Sequence, residues 1–292
     1  MANRDDVADA AGLKWDLRQR LKLLEGTLLL TGWVRTQALV DTFGISRAQA
    51  SKDFAIYMGL RPDNLAYNKS RKYYEATSEF VPLLLTGKAS ELLEALQALQ
   101  MPDAPVVTLA ATVPAIALIK PMERELDWHT LRVVSSALCQ QRKFTVAYQS
   151  MNRPEPTELI LSPHSLVYSG YRWHIRAYSD THKEYRDFVL ARMRGRATLW
   201  DEPAISAKDD TAWKTEVAIV IAPHPDLPVA QQAILAEDYG MVDGQSIQRI
   251  RQALVPYFLR LMQIEPERQH PDPKVQQIVL VNRAEIEPLM WG

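Results

Sequence analysis

The run PHSLVYSGYRWHIRAYSDTHKEYRDFVLARM, residues 163–193, alternates basic and aromatic side chains along short extended segments. Ser169-Gly170 stands between two β-prone runs, where the two-residue turn of a hairpin would lie. After it the period is two, which places Trp173, Ile175 and Ala177 on one face and His174, Arg176 and Tyr178 on the other. The strand therefore has a packed side and a polar side, and the polar side is basic.

Upstream, Asp127 to Arg142 carries Trp128, Leu131, Val134 and Leu138 at helical spacing and leads into an extended segment from Phe144 to Ser150. A stripe of this kind packs on a core. Cys139, the one cysteine of the chain, is expected to be a buried small hydrophobe, and its solitude excludes an internal disulfide and a Cys-rich zinc site. Downstream of Trp200 the order reads strand, helix, helix, strand: Val217 to Ile221, Val229 to Tyr239, Ile247 to Ile264, and Val275 to Val281. Leu254, Phe258, Leu261 and Met262 suit a subunit contact or a plain domain core.

The N-terminal region has its own pattern. Trp15, Leu17, Leu21 and Leu24 recur at helical spacing, and a second helix runs from Thr36 through Ala38 and Leu39 to Phe43. Gly44 permits a left-handed turn, Ile45 plugs the space between two helices, and Ser46 is a good N-cap for a helix from Arg47 to Met58. In that helix Ala50, Phe54, Ile56 and Tyr57 point inward, while Arg47, Gln49, Ser51 and Lys52 stay near its exposed first half. This is the pattern of a helix-turn-helix. Leu65 to Asn68 and Lys72 to Glu75 then flank Lys69-Ser70-Arg71 as a hairpin with a basic tip. Winged helix-turn-helix proteins resemble this order of helix, turn, helix and wing, and in them the second helix enters the major groove of DNA. The candidate DNA contacts are Thr36, Ser46, Arg47, Gln49, Ser51, Lys52, Lys69, Ser70, Arg71 and Lys72. A helical bundle with solubilising surface charge is the alternative.

Charge follows the same division. Of the 292 residues, positions 14–72 hold 11 Lys and Arg against 5 Asp and Glu, and 142–200 hold 10 against 5. Positions 73–141 hold 4 against 8, and 201–292 hold 8 against 14, so a net charge of −1 conceals two basic modules in an acidic frame. That arrangement suits polyanion contacts at two places. A hydrophobic content of 47% supports real cores in two or three domains. Ala104 to Ile119, the longest apolar stretch, is interrupted by Pro105 and Pro114 and is too short to span a membrane; with no signal sequence, a cytoplasmic location is expected. Ser90 to Gln100 reads as a short connector helix ended by Met101 to Pro105, followed by the apolar segment Val106 to Lys120.

Around the opening run the residues resemble the WYL-domain transcriptional regulators. The tripeptide that names the family appears as Trp173-His174-Ile175, differing at two of three positions. The frame carries the resemblance: Tyr148-Gln149-Ser150, Pro163 before the hairpin, Arg186-Asp187-Phe188, and Leu190-Ala191-Arg192-Met193. The resemblance implies an Sm-like β-barrel here and, in the segment that follows, a C-terminal extension contributing to dimerisation. Its basic and aromatic side chains then suggest a pocket for a nucleotide or nucleic-acid fragment, lined by Tyr148, Ser150, His164, His174, Arg176, Arg186 and Arg192. Guanidinium groups would grip phosphate and aromatic rings would stack bases. His174 stands where the family usually has Tyr, which alters stacking and hydrogen bonding at that point.

The expected architecture is α+β and multidomain. It comprises a winged helix-turn-helix over 1–80, a helical linker over 81–141, the Sm-like barrel over 142–203, and an α/β dimerisation extension over 204–292. The expected function is a homodimeric, ligand-responsive regulator, a repressor, acting on an inverted-repeat operator in double-stranded DNA. The layout most resembles WYL regulators that silence phage-defence operons such as those beside BREX or CBASS systems. An Sm-like adaptor for RNA or single-stranded DNA and a ligand-dependent activator are the alternatives. No cofactor, metal or membrane partner is expected. An enzyme is not expected either: Gly-x-Ser-x-Gly, a phosphate loop and His-Glu-x-x-His are all missing, and His164 and Ser165 are neighbours pointing to opposite faces of a strand.

Overall fold

The computed structural model describes residues 12–98, 114–119, 121–265 and 268–290. The chain divides into two compact units, Met1–Lys120 and Pro121–Gly292. The Met101 to Pro105 breaker, and most of the apolar segment after it, lie outside the described residues.

In the first unit, α1 (Trp15–Thr31) is followed by β1 (Trp33–Val34), α2 (Thr36–Phe43), α3 (Arg47–Leu60), β2 (Leu65–Asn68), β3 (Tyr73–Ala76) and α4 (Ala89–Ala98). The three strands form an antiparallel sheet in the order β1-β3-β2. Gly44 closes α2 with φ +63°, its N–H donating to the Val40 carbonyl, and Ser46 opens α3 by accepting from the Gln49 N–H at 3.1 Å. The turn between the helices thus satisfies backbone groups that a helix end leaves orphaned. Leu21, Leu24 and Leu28 of α1 meet Leu39 of α2 and Ala50, Phe54 and Tyr57 of α3 in one buried cluster. Among the described residues of this unit two carboxylates are buried. Asp53 accepts from Arg20 Nε at 2.6 Å, and Glu25 accepts from the Tyr57 hydroxyl at 2.8 Å and from the N–H groups of Leu83, Leu84 and Leu85 at 2.7, 2.8 and 2.7 Å. Glu25 therefore fastens the chain that leaves the wing onto α1 and α3.

In the second unit, α5 (Trp128–Gln140) precedes β4 (Arg142–Tyr148), β5 (Thr157–Tyr168), β6 (Trp173–Ser179), β7 (Glu184–Val189) and β8 (Met193–Pro203), which pair antiparallel in the order β7-β6-β5-β4-β8. Edge strands of a flat five-stranded sheet would lie roughly 19 Å apart, at about 4.8 Å per pairing. Yet the chain passes from edge β7 to edge β8 through the 3₁₀ turn Leu190–Arg192, at about 2 Å of rise per residue. The sheet must curl, and register shifts in β5 between Pro163 and Ser165 and along β4 supply the bends. Phe144, Val146, Leu161, Ile175 and Phe188 fill its inner side, with Val134 and Ala137 of α5 packed against them.

A third sheet, in the order β10-β9-β11, follows. It is built from β9 (Glu216–Pro223), β10 (Ser246–Arg251) and β11 (Ile278–Leu280), together with α6 (Thr211–Lys214), α7 (Val229–Asp238), α8 (Val255–Leu261) and α9 (Arg283–Ile286). Among the described residues no helix is long and apolar enough to cross a membrane.

Several sequence expectations are corrected here. The hairpin loop is four residues, Ser169 to Arg172, closed by the Ser169 N–H on the Arg172 carbonyl at 3.0 Å with Gly170 at φ +89°. Tyr171 and Arg172 leave the ladder, so Trp173 starts its strand at the sheet margin and is 49% exposed. Trp128 is also exposed, stacked on the His129 ring, because α5 buries Thr130, Val134 and Ala137. At about 100° per residue, Cys139 falls roughly 140° from Val134 and so lies on the exposed side of the helix. The expected helix from Ile247 to Ile264 is β10, a 3₁₀ turn and the short α8. Pro256 occupies the first turn of α8, where its missing N–H costs nothing, whereas a longer helix would hold it in the interior. Leu261 is exposed, and Phe258 and Met262 pack on the C-terminal core.

Replacing Glu25 with Ala leaves three consecutive part-buried N–H groups and the buried Tyr57 hydroxyl without their acceptor and is expected to cost about 3–5 kcal/mol. Urea unfolding of the full chain measures this, and a loss below about 0.5 kcal/mol would remove Glu25 from its anchoring role.

Candidate nucleic-acid interface and basic hollow

Helix α3 presents two chemically distinct faces. Ala50, Asp53, Phe54 and Tyr57 are buried, and Arg47, Ala48, Ser51, Lys52 and Ala55 are exposed. Gln49 is half-buried, and its amide nitrogen donates to Asp53 Oδ1 at 2.8 Å, so this side chain is held along the helix. The hydroxyl of Ser46 serves the helix cap, and Thr36 sits half-buried at the start of α2. In the wing, Lys69, Ser70, Arg71 and Lys72 are all exposed at the tip. Asn68 shapes that tip by accepting from the Ser70 hydroxyl at 2.8 Å and the Arg71 N–H at 3.0 Å, while Lys72 takes φ +55°. Two features went unread in the sequence. Arg35, exposed beside Thr36, lies over the Trp33 ring at 5.5 Å, and Tyr67 stands exposed on the wing against Tyr74.

In the second unit the seven candidate ligand residues separate into two groups. Tyr148, Ser150, Arg186 and Arg192 line one hollow of about 500 Å³, together with Arg153, Thr157, His182 and Phe188. The Tyr148 hydroxyl accepts from the Val189 N–H at 3.1 Å, and its ring meets the edge of Phe188 at 5.3 Å, which fixes the floor. Arg186 pairs with Glu184 at the rim. Burial first, then the cations Arg186 and Arg153, holds His182 below its ordinary pKa, so it stands neutral in the hollow at pH 7. Arg153 and His182 were not anticipated: they lie in the loops Met151–Pro154 and Asp180–Lys183, whose sequences carry no strand parity.

His164, His174 and Arg176 lie elsewhere. Arg176 pairs with Asp187 across β6 and β7, while Arg186 pairs with Ala177, so period two sends the two arginines to opposite faces. Arg176 is buried. Its Nε and Nη2 donate to the two carboxylate oxygens of Asp210 at 2.7 and 3.1 Å, and Nη1 donates to Asp187 at 3.4 Å. Asp187 also accepts from the Tyr257 hydroxyl at 2.9 Å, and Asp210 accepts from the Trp213 N–H at 3.1 Å and meets His164 Nε2 at 3.2 Å. Burial pushes both carboxyls up; the two-pronged Arg176 contact outweighs it at Asp210, which lies below the usual range, and the longer single contact does not at Asp187, which lies above. His174 is fully buried and stacks on Tyr257 at 4.5 Å, with neither ring nitrogen hydrogen-bonded among the described residues. Burial, with Arg172 and Arg176 nearby, brings it to about 4. Among the described residues no cluster of three or more His, Cys, Asp or Glu is placed to hold a metal ion.

Three family models match the chain in this order: the BrxR transcriptional regulator winged helix-turn-helix domain over 16–98, the WYL domain over 129–197, and the BrxR transcriptional regulator C-terminal dimerization domain over 216–286. The DNA-binding transcriptional repressor CapW of Escherichia coli (strain KTE188) is 34% identical over 289 residues, covering 98% of this chain and 96% of that protein. The CapW repressors of Stenotrophomonas maltophilia and Pseudomonas aeruginosa are 31% and 32% identical, over 98% and 96% of this chain and 96% and 93% of theirs. The solved proteasome accessory factor B/C of Arthrobacter aurescens is 19% identical over 94% of this chain and 48% of that one, at a TM-score of 0.25. This chain thus spans about half the length of that structure, too slight a likeness to carry weight.

His174 sets an acid limit on stability. In the folded chain it stays neutral down to about pH 4, whereas in the unfolded chain it takes a proton near 6.5. Stability is therefore complete above about pH 6.5 and falls as pH drops toward 4, by roughly 2–3 kcal/mol from this group. His164, also lowered chiefly by burial, acts in the same direction. Urea midpoints at pH 7 and pH 4.5 should differ less in His174→Phe than in the parent chain; an equal acid sensitivity would contradict the assignment.

Proposed function

The chain belongs to the family of the DNA-binding transcriptional repressor CapW, and on that premise we propose that it represses an operator by reading duplex DNA with α3 and the β2–β3 wing. The observation that carries this reading is the division of α3. One face is locked into the core by Asp53, Phe54 and Tyr57, which leaves Arg47, Ser51 and Lys52 outward on a rigid helix. Arg47 and Lys52 suit phosphates and guanine edges, Ser51 suits either, and Ala48 and Ala55 allow close approach and fit thymine methyls. Lys69, Arg71 and Lys72 on the wing supply further phosphate contacts. Repression by DNA binding is not an enzyme class, and the work belongs at the nucleoid in the cytoplasm. The resemblance to repressors beside BREX and CBASS systems favours a phage-defence operon as the target.

Dimerisation belongs to the C-terminal extension. Helix α7 buries none of its residues within the chain and exposes Val229 and Ile234, and Ile247 is exposed on the neighbouring strand β10. These apolar groups suit a second copy, and two copies would present two reading heads to the half-sites of an inverted repeat. The domain limits we propose are those read from the sequence: 1–80, 81–141, 142–203 and 204–292.

The ligand reading centres on the hollow lined by Arg153, Arg186 and Arg192, which suits the phosphate of a nucleotide or nucleic-acid fragment. Such a ligand releases the operator only by binding the DNA-free shape more tightly than the DNA-bound one.

Arg47→Ala with Lys52→Ala is expected to weaken operator binding at least tenfold and to lower the slope of log affinity against log salt by about 2. Gel shift across a salt series measures this, and an unchanged slope would remove α3 from the DNA. Arg186→Ala with Arg192→Ala should retain operator affinity and lose ligand-driven release; normal de-repression in that variant would end the assignment of the hollow.

A further inference from the structure

The three-stranded sheet of the first unit has two faces, and they differ in what covers them. Tyr67 pairs with Tyr74 across β2 and β3, Val34 pairs with Tyr74 across β1 and β3, and the Tyr74 ring lies 4.5 Å from Phe54 of α3, so this row packs on the helices. Period two sends Trp33, Tyr73 and Glu75 to the opposite face, where the Trp33 and Tyr73 rings stand 5.1 Å apart at 30°. Each ring of that pair carries a guanidinium. The Arg35 guanidinium carbon lies 5.5 Å from the centre of the Trp33 ring, and Arg71 Nη1 donates to the Tyr73 hydroxyl at 2.8 Å. Glu75 is turned to another task, accepting from Asn68 Nδ2 at 3.0 Å.

The register brings both arginines to one end of the sheet. Trp33 lies opposite Glu75 and Val34 opposite Tyr74, so the chain is moving toward the wing tip as it leaves β1. Arg35 comes next, level with Tyr73 and beside the turn that bears Lys69, Arg71 and Lys72. It is exposed, and among the described residues its guanidinium has no carboxylate partner. Arg35 is also the N-cap residue of α2, yet its side chain makes no cap hydrogen bond. Its charge and the positive end of the helix therefore favour an anion at the same place. A guanidinium stacked on a ring keeps its N–H groups at the edge of its plane, where one phosphate takes two of them at once. Stacking also orders the side chain before DNA arrives, which lowers the ordering cost that a free surface arginine would bear on binding.

We propose that Arg35 is a DNA-backbone contact outside both the recognition helix and the wing, and that Trp33 and Tyr73 are positioning residues that hold Arg35 and Arg71 as two arms of one phosphate clamp. The proposal rests on the reading of α3 and the wing as the duplex-binding face. To that reading it adds the share of β1 and the aromatic pair that sets both arms. The clamp grips phosphate and no base edge, so it contributes affinity without sequence preference.

The test is fluorescence anisotropy of the full-length protein, across a salt series, with two duplexes: one from upstream of its own coding sequence and one of unrelated sequence. Arg35→Ala should weaken both by the same factor, about five- to tenfold, and lower the slope of log affinity against log salt by about 1 per bound protomer. Trp33→Leu should weaken both about threefold in the parent chain and change nothing in the Arg35→Ala background, because the ring acts through that guanidinium. Trp33→Phe, which keeps a ring, should retain most of the parent affinity. Unaltered affinity and slope in Arg35→Ala overturn the clamp, as does a loss confined to one duplex. A Trp33→Leu loss of equal size in both backgrounds overturns the positioning role of the ring. If Arg47→Ala with Lys52→Ala lowers the slope and Arg35→Ala does not, the clamp alone fails; if neither lowers it, the duplex-binding face fails with it.

Discussion

The Arg176 guanidinium, buried between Asp210 and Asp187, is the contact on which the arrangement of the second unit depends. A cation out of water is tolerated when both ends of its fork are met, and Asp210 meets them with two parallel hydrogen bonds. Each partner of the pair belongs to a different piece of the fold: Arg176 and Asp187 to the curled sheet, Asp210 to the cap of α6, and, through Tyr257, α8 to the same cluster. Removing one member would leave the other charge uncompensated, at about 3–5 kcal/mol. The outer face of β6 and β7 is thereby committed to joining the sheet to the C-terminal extension. Arg186 lies on the other face, at the basic hollow, with Glu184 as its carboxylate partner.

The first unit uses buried acids to the same end. Between positions 14 and 72 there are five acidic residues, and two of them, Glu25 and Asp53, are wholly interior, one holding three backbone N–H groups and the other holding Arg20 and Gln49. The surface is consequently more basic than the count of 11 against 5 suggests. Charge repulsion among the exposed cations opposes folding, and the interior hydrogen bonds offset it. A rigid helix with a basic outer face follows from that balance.

Local grammar made the reading head legible. Gly44, Ser46 and the apolar spacing of Leu39, Ala50 and Phe54 set a turn and two helices whose bounds the structure repeats within two residues, and the wing follows from two short β-prone runs around Lys69-Ser70-Arg71. What escaped depends on contacts distant in sequence. Period two separates Arg176 from Arg186 only once the pairing of β6 with β7 is known, and nothing local says that residue 210 will lie against residue 176. Ile247 and Ile250 imitate a helix because their spacing is three, and only Pro256 signals that the helix begins later.

The two polyanion sites proposed for this chain, a reading head for duplex and a hollow for a phosphorylated ligand, are of regulatory use only if each senses the other. Thermodynamic linkage makes that directly measurable, because the factor by which ligand changes operator affinity must equal the factor by which operator changes ligand affinity. Titrating operator into the protein with and without a saturating nucleotide, and the reverse, should give the same weakening in both directions, on the order of 5-fold or more. Affinities that stay the same in both directions would contradict the account.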